Sequence, residues 1–428
     1  MATFVIRGGR ALSGEFRPMG NKNAALPMLA AATLSDEPVE LENLPDILDV
    51  RNMLRILEDI GVRVEREGEH RVRLCARGLK KTALDTGLCG RVRGSILFAG
   101  PLAARHGAAT IPPPGGDVIG RRRLDTHFDG LRAMGVAVKE SQGAFLLRRG
   151  RQWHGAELLL DEASVTATEN LMMAASLAPG ETVIYNAACE PHVQDLGLLL
   201  QKMGAQIGGL GTNRLRIAGV ERLHGAEHRI QPDHVELGSF LAAAAATGGD
   251  LRVRDLPDAV TMEILARAFA RLGVKWKIRD GVLSMPGRQK LRPAHDIGGV
   301  LPKMEDGIWP AIPSDLMSVM LVLATRAHGG MLFFEKLFES RMYFVDWLLM
   351  MGADIVQCDP HRVVVRGGTK LHGGRITSPD IRAGMALILA ALCAEGESRI
   401  LRAEMVDRGY EQVDARLRAL GADIRREE

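Results

Sequence analysis

The sequence holds only five cysteines in 428 residues (Cys75, Cys89, Cys189, Cys358 and Cys393), and none of them forms a Cys-x-x-Cys pair. An odd, scattered set excludes a disulfide framework and a structural zinc site, and it suits a reducing cytoplasm. Charge of one sign is also missing. Lys plus Arg total 55 against 52 Asp plus Glu, a net charge of +3, so no global field is present to hold a nucleic-acid backbone. The most apolar stretch, Met385 to Ala394, is too short to cross a bilayer. The opening Met1-Ala-Thr-Phe-Val-Ile-Arg7 lacks the basic region and apolar run of a signal peptide. What is there, 46% hydrophobic and 25% charged residues, is the composition of an ordinary soluble globular protein and excludes disorder over most of the length.

One pattern recurs six times: an amphipathic stretch, an apolar residue, Gly, then a short β-like run. The copies begin Leu57-Glu-Asp-Ile-Gly61, Leu131-Arg-Ala-Met-Gly135, Leu200-Gln-Lys-Met-Gly204, Phe269-Ala-Arg-Leu-Gly273, Leu348-Leu-Met-Met-Gly352 and Leu417-Arg-Ala-Leu-Gly421. Their glycines stand 74, 69, 69, 79 and 69 residues apart. The pattern predicts a helix closed by a left-handed glycine that leads straight into a strand. Between the copies lie Ala-rich helices that are apolar on nearly every face, such as Ala242-Ala-Ala-Ala-Ala246, and these belong inside a domain. Six units of about 70 residues exceed one core, so two domains of three units each are expected. The charged, Gly-flanked stretch Glu221 to Asp233 is the expected crossover.

Four motifs carry possible chemistry. Gly20-Asn-Lys22-Asn23-Ala-Ala-Leu-Pro-Met28 opens an apolar helix with an ammonium, which reads as an anion site or as a solvated lysine. Pro112-Pro-Pro-Gly-Gly-Asp117-Val-Ile-Gly-Arg121-Arg122-Arg123-Leu124-Asp125 joins a tight loop to three arginines. Such a loop suits an anionic ligand, or is a surface turn with its arginines in water. It is neither a Walker A loop nor a Gly-x-Gly-x-x-Gly fingerprint, which speaks against an ATPase or a Rossmann cofactor site. In Trp309-Pro-Ala-Ile-Pro313-Ser-Asp315, the aspartate stands near the N-cap of the next helix, as a cap or as a rigidly held general base. Asp407-Arg408-Gly-Tyr410-Glu411 reads as a charged turn whose ion pair is worth little.

Together with Val92-Arg93-Gly-Ser95, Ser164-Val165-Thr-Ala-Thr-Glu-Asn170, Asn186-Ala-Ala-Cys-Glu190-Pro191 and Phe338-Glu339-Ser-Arg341, these motifs resemble the enolpyruvyl transferases over essentially the whole chain. Within that family they resemble the members that use UDP-N-acetylglucosamine. The resemblance implies two inside-out α/β barrel-like domains of three units each, residues 22–231 and residues 1–21 plus 232–428, with the active site in a cleft between them. It implies transfer of the enolpyruvyl group of phosphoenolpyruvate to the 3-hydroxyl of UDP-N-acetylglucosamine with release of phosphate. That reaction is the first committed step of peptidoglycan synthesis, in the cytoplasm, and needs no metal or organic cofactor. Lys22, Asn23, Arg122 and Arg408 would bind phosphoenolpyruvate. Arg93, Arg122, Arg123, Leu124, Asp125, Thr126, Ser164, Val165, Asp315 and Leu337 would bind the UDP-sugar. Asp117, Lys22, Asp315 and Arg408 would be catalytic, with Asp315 taking the hydroxyl proton. The partners are then two small molecules, with no nucleic acid and no membrane. Nothing in the sequence sets the oligomeric state.

Most members carry a cysteine where Asp117 stands, and no cysteine of this chain lies near it in sequence. The resemblance therefore implies a different proton donor and resistance to fosfomycin, an epoxide opened by the thiolate. An extra proline in Pro112-Pro-Pro114, the arginines flanking Arg122, Trp309 and the bulky run Phe333 to Asp346 also depart from the family pattern. These departures lie near the expected acceptor site. They leave open a paralogue acting on another nucleotide or nucleoside, or a non-catalytic UDP-sugar-binding member. Retention of Lys22, Asn23, Arg93, Arg122, Asp315 and Arg408 argues against the last.

Overall fold

All six repeated glycines are left-handed in the computed structural model, which describes residues 2–117 and 119–428. Their φ angles are 96° at Gly61, 91° at Gly135, 101° at Gly204, 84° at Gly273, 92° at Gly352 and 98° at Gly421. The chain divides into two compact units, residues 20–117 with 122–231 and residues 2–19, 119–121 and 232–428. The N-terminal unit carries helices α1 (Lys22–Ala31), α2 (Leu48–Asp59), α3 (Thr86–Cys89), α4 (Ala99–His106), α5 (Asp125–Ala133), α6 (Val165–Ala175) and α7 (Pro191–Lys202). The C-terminal unit carries α8 (His234–Thr247), α9 (Ala259–Ala270), α10 (Ser314–Thr325), α11 (Val345–Met350), α12 (Ile381–Cys393) and α13 (Val413–Ala419). The six glycines follow α2, α5, α7, α9, α11 and α13, the amphipathic helices.

The Ala-rich helices α1, α4, α6, α8, α10 and α12 form the interiors. All of α8 is buried except Thr247, all of α10 except Asp315 and all of α12 except Cys393, and the three pack on one another. Each fully buried Leu, Ile or Phe on them contributes about 1.5–3 kcal/mol. Helices with no polar face need their first-turn amides satisfied locally. Asn21, Asp233 and Asp380 do this for α1, α8 and α12, each side chain accepting two backbone N–H groups.

Five sheets repeat one plan, a parallel pair at one edge followed by antiparallel neighbours, as in Ala226–Arg229, Val39–Glu42, Arg71–Cys75 and Arg63–Arg66. In the sixth (Ala108–Ile111, Ala144–Arg149 and Val136–Ser141) the parallel edge shrinks to one bridge, Ala83 to Thr110. Edge strands are exchanged along the chain. Gly14–Phe16, which precedes α1, completes the sheet of Leu251–Val253 in the C-terminal unit, while Ala226–Arg229, which precedes α8, completes a sheet of the N-terminal unit. The first strand, Thr3–Arg7, inserts between Glu397–Leu401 and Asp423–Glu427. The stretch Glu221 to Asp233 is thus partly a strand, and the chain crosses after Gln231. Among the described residues no helix is long and apolar enough to cross a membrane.

A buried amide ties three helices of the N-terminal unit together. Asn170 Nδ2, on α6, donates to the carbonyl of Ile96 (2.9 Å) and to His127 Nδ1 on α5 (2.9 Å), and its Oδ1 accepts from Gly100 N on α4 (2.7 Å). His127 therefore carries its proton on Nε2, 3.0 Å from Thr166 Oγ1. Burial, then the charge of Arg93, pushes His127 down to about 3, so it is neutral across the working pH range.

Two stability outcomes follow from these contacts. A Cβ at Gly135 would collide with the backbone carbonyl of Gln152, whereas one at Gly180 (φ 91°) meets nothing within 4 Å. Gly180→Ala is expected to cost about 1 kcal/mol and Gly135→Ala at least about twice that in urea unfolding; equal losses would contradict the close approach. Asn170→Ala deprives Gly100 N and His127 Nδ1 of their buried partner, while the Ile96 carbonyl keeps the Ala99 N–H, and is expected to cost about 3 kcal/mol. A loss under about 1 kcal/mol would mean that water replaces the amide.

Candidate active site

The sequence-predicted site residues fall into two groups, one in each unit. In the N-terminal unit Lys22 opens α1, buried, with its ammonium 3.0 Å from the carboxylate of Asp49 on α2. Asn23 follows it, half-buried, its backbone N–H held by the Asn21 cap. Arg93 begins the short 3-10 turn Arg93–Phe98, which packs against α1, and its guanidinium donates to the carbonyl of Arg122 (2.8 Å). Burial and then the charge of Arg122 depress Arg93 to about 10. Two guanidinium groups held close and partly out of water make a site whose charge an anion would offset.

The Pro-Gly loop lies against these arginines. A Cβ at Gly116 (φ 118°) would approach Arg93 Cβ to 2.8 Å and Arg122 Nη1 to 3.6 Å. Gly115 N donates to the carbonyl of Cys89 (2.9 Å), and a side chain at Gly115 would strike Gly90. Folding thus brings the backbone of Cys89, 26 residues upstream of Gly115, against the loop. Cys89 is no substitute for a reactive loop thiol, however, since burial pushes it up to about 11 and it stays protonated. Asp117 follows these two glycines, half-buried.

Beyond Arg122, Arg123 pairs with Asp125 (3.1 Å) and Asp161 (2.8 Å), and Thr126 Oγ1 donates to Asp161 (2.7 Å). Leu124 is the N-cap residue of α5 and Ser164 that of α6. Val165 begins α6 and packs on the core. The stretch Arg122 to Thr126 is thus tied to Arg93 on one side and to the approach to α6 on the other.

In the C-terminal unit Asp315 is the one residue of α10 that is not buried, and it is not a cap. Pro313 occupies the N-cap position, and the Asp315 carboxylate instead receives Arg341 Nη2 (2.9 Å) and Arg382 Nε and Nη2 (2.9 and 2.8 Å). This corrects the capping alternative: two guanidinium groups only 3–4% exposed out-compete the helix amides for the carboxylate. Burial opposes the charge on Arg382, but Asp315 more than offsets it and the pKa of Arg382 is raised. Arg382 also lies 5.4 Å from the ring centre of Tyr410, whose hydroxyl bonds Ser239 (2.8 Å). Arg408 stands two residues before Tyr410, in a turn braced by Asp407 and Arg426 (2.6 and 2.8 Å), so this turn is built in rather than loose at the surface. Leu337 is exposed after the strand Gly330–Phe334.

Sequence reasoning did not assign Arg341 or Arg382 to the site. Arg341 had been noted only as part of a matching segment. Asp380-Ile-Arg382, opening an apolar helix, was a usable signal for Arg382. Among the described residues no group of three or more His, Cys, Asp or Glu side chains is placed to hold a metal.

Comparison with known proteins shows the family. A family profile for EPSP synthase (3-phosphoshikimate 1-carboxyvinyltransferase) matches residues 6–417. The chain is 49% identical over 424 residues to the UDP-N-acetylglucosamine 1-carboxyvinyltransferase of Treponema denticola, covering 99% of both chains. It is 48% identical over 423 residues to the enzyme of that name from Bradyrhizobium diazoefficiens, covering 99% of this chain and 97% of that one. The solved structure of the enolpyruvyl transferase NikO from Streptomyces tendae superposes with a TM-score of 0.87 over 99% of this chain and 98% of that one. Its sequence is 24% identical, so that likeness speaks for the fold alone. On the extent of the profile match and of the full-length identities, the chain belongs to the EPSP synthase family of enolpyruvyl transferases.

Proposed function

We propose that this chain transfers the enolpyruvyl group of phosphoenolpyruvate to the 3-hydroxyl of UDP-N-acetylglucosamine, releasing phosphate, as the first committed step of peptidoglycan synthesis in the cytoplasm. The observation that carries the proposal is near one-half identity, over full length, to enzymes bearing that name, joined to a retained set of charges. Phosphoenolpyruvate brings a phosphate and a carboxylate, which Lys22, Arg122 and Arg408 would neutralise, with Asn23 beside Lys22. Arg93, Arg122–Thr126, Ser164, Val165 and Leu337 would hold the nucleotide sugar. Asp315 would take the proton of the 3-hydroxyl as its oxygen bonds to the enol carbon, while the methylene carbon gains a proton from Asp117. The tetrahedral adduct would then lose phosphate and a methyl proton to restore the enol ether.

The test is release of phosphate on mixing phosphoenolpyruvate with UDP-N-acetylglucosamine and with a panel of other nucleotides and nucleosides. Release with UDP-N-acetylglucosamine supports the proposal; release only with another acceptor, or binding without release, overturns it. Asp315→Asn is expected to lower kcat by about 10²-fold or more while changing KM far less. The variant should also melt at a lower temperature, because two buried guanidinium groups lose their counter-charge. Wild-type turnover in Asp315→Asn would remove Asp315 from the mechanism.

A carboxylate opens an epoxide poorly, so the wild type is expected to resist covalent inactivation by fosfomycin, and Asp117→Cys to become sensitive with one inhibitor mass on residue 117. Asp117→Ala is expected to lose most activity. A covalent adduct on the wild type, or full activity in Asp117→Ala, would show that the loop residue has another role.

A further inference from the structure

Helix α10 begins unlike its two companions in the C-terminal unit. Asp233 and Asp380 cap α8 and α12, but no side chain caps α10. Its first residue, Ser314, instead donates its hydroxyl to Glu335 Oε1 (2.7 Å). The same oxygen accepts the backbone N–H of Phe338 (3.2 Å). Glu335 is 0% exposed and lies beside Asp306, which is 1% exposed. The strands Lys303–Glu305 and Gly330–Phe334 run parallel with Glu305 opposite Phe334, so the next residues of each, Asp306 and Glu335, stand side by side. Asp306 Oδ1 accepts from Lys336 N (2.5 Å). Glu335 Oε2 and Asp306 Oδ2 are both buried and have no hydrogen-bond partner among the described residues.

We propose that Asp306 and Glu335 are positioning residues, a buried carboxyl pair that fixes the start of α10 and the segment 336–341 and thereby sets the geometry around Asp315. This rests on the reading of Asp315 given above. The segment matters because its far end holds the site: Arg341 grips Asp315, Glu339 Oε2 accepts from Arg121 N (3.2 Å), and Ser340 N donates to Ile119 O (3.1 Å). Two buried carboxylates side by side repel unless one keeps a proton. Burial first, then Asp306, pushes Glu335 up to about 8, with Arg341 and the Ser314 hydroxyl opposing. The other charged or titratable groups nearby are spoken for. His361 Nδ1 bonds the Glu335 carbonyl (2.8 Å), and Lys303 and Lys336 pair with Glu305. A proton kept by this pair removes the repulsion and leaves Glu335 Oε1 free to hold both Ser314 and Phe338.

The test compares the wild type with Glu335→Gln and Asp306→Asn. Either amide removes the repulsion without emptying the site. A carboxyl held at a raised pKa in the folded protein stabilises it most below the unfolded value, about 4.3, and that contribution is lost as pH rises through about 8. Wild-type melting temperature is therefore expected to fall relative to Glu335→Gln between those values and to run level above them. The kcat ratio of wild type to Glu335→Gln should stay level below about pH 7 and fall about tenfold per pH unit above about pH 8. Asp306→Asn should give the same two results. A role in stability alone would leave the kcat ratio level from pH 6 to 10, and that outcome overturns the proposal, as does identical pH dependence of melting in all three proteins. The melting comparison stands whichever group takes the hydroxyl proton, so failure of the Asp315 reading is seen separately, as full turnover in Asp315→Asn.

Discussion

The constraint on which the structure depends is that its six inner helices have no polar face. Helices α8, α10 and α12 are buried along nearly their whole length, so a charged side chain can survive on them only where the helix begins. There the free amides and the preceding turn supply partners that the interior lacks. The site residues obey this rule. Lys22 is the first residue of α1, Ser164 stands at the N-cap position of α6, Asp315 is the second residue of α10 and Arg382 the second of α12. Arg93 opens the 3-10 turn that leads into α4. The left-handed glycines serve the same end from outside, because they turn each amphipathic helix directly into a strand and keep the covering layer tight against the apolar interior.

Charge at these helix starts is arranged by partnership rather than exposure. Asp315 satisfies two guanidinium groups that are themselves 3–4% exposed, and such a cluster is costly to break because either loss leaves a buried charge unmatched. In the N-terminal unit the balance differs. Arg93 and Arg122 stand together, and the depressed pKa of Arg93 records the burial and the neighbouring like charge. One unit thus holds a carboxylate at a fixed point, and the other holds positive charge that a phosphate or carboxylate would relieve.

Local patterns were legible in the sequence wherever a short-range rule decides the structure. The six glycines all take the left-handed turn that the pattern demands, and the Ala-rich runs are interior helices. What was not legible depends on partners far along the chain. Asp315 stands near where a cap belongs, and nothing local distinguishes a cap from a counter-ion; Arg341 and Arg382 are 26 and 67 residues away. The exchange of edge strands was equally hidden. Gly14–Phe16 is three residues long and finds its partner near residue 251, too short a stretch for periodicity to register. Cys89 meets the loop through its carbonyl, a contact its side-chain chemistry gives no reason to expect.

The loop carrying Asp117 shows why backbone can matter more than side chain at such a site. Gly115 is held to the carbonyl of Cys89, and neither Gly115 nor Gly116 has room for a Cβ, the one against Gly90 and the other against Arg93. Gly120, at φ 133°, is packed as closely against Glu339. The chain leading into residue 117 is therefore set by contacts that only glycine permits, and those contacts are indifferent to which side chain stands there. A thiol and a carboxyl can then occupy one backbone position, and exchanging them alters proton affinity and nucleophilicity while leaving the path of the loop unchanged.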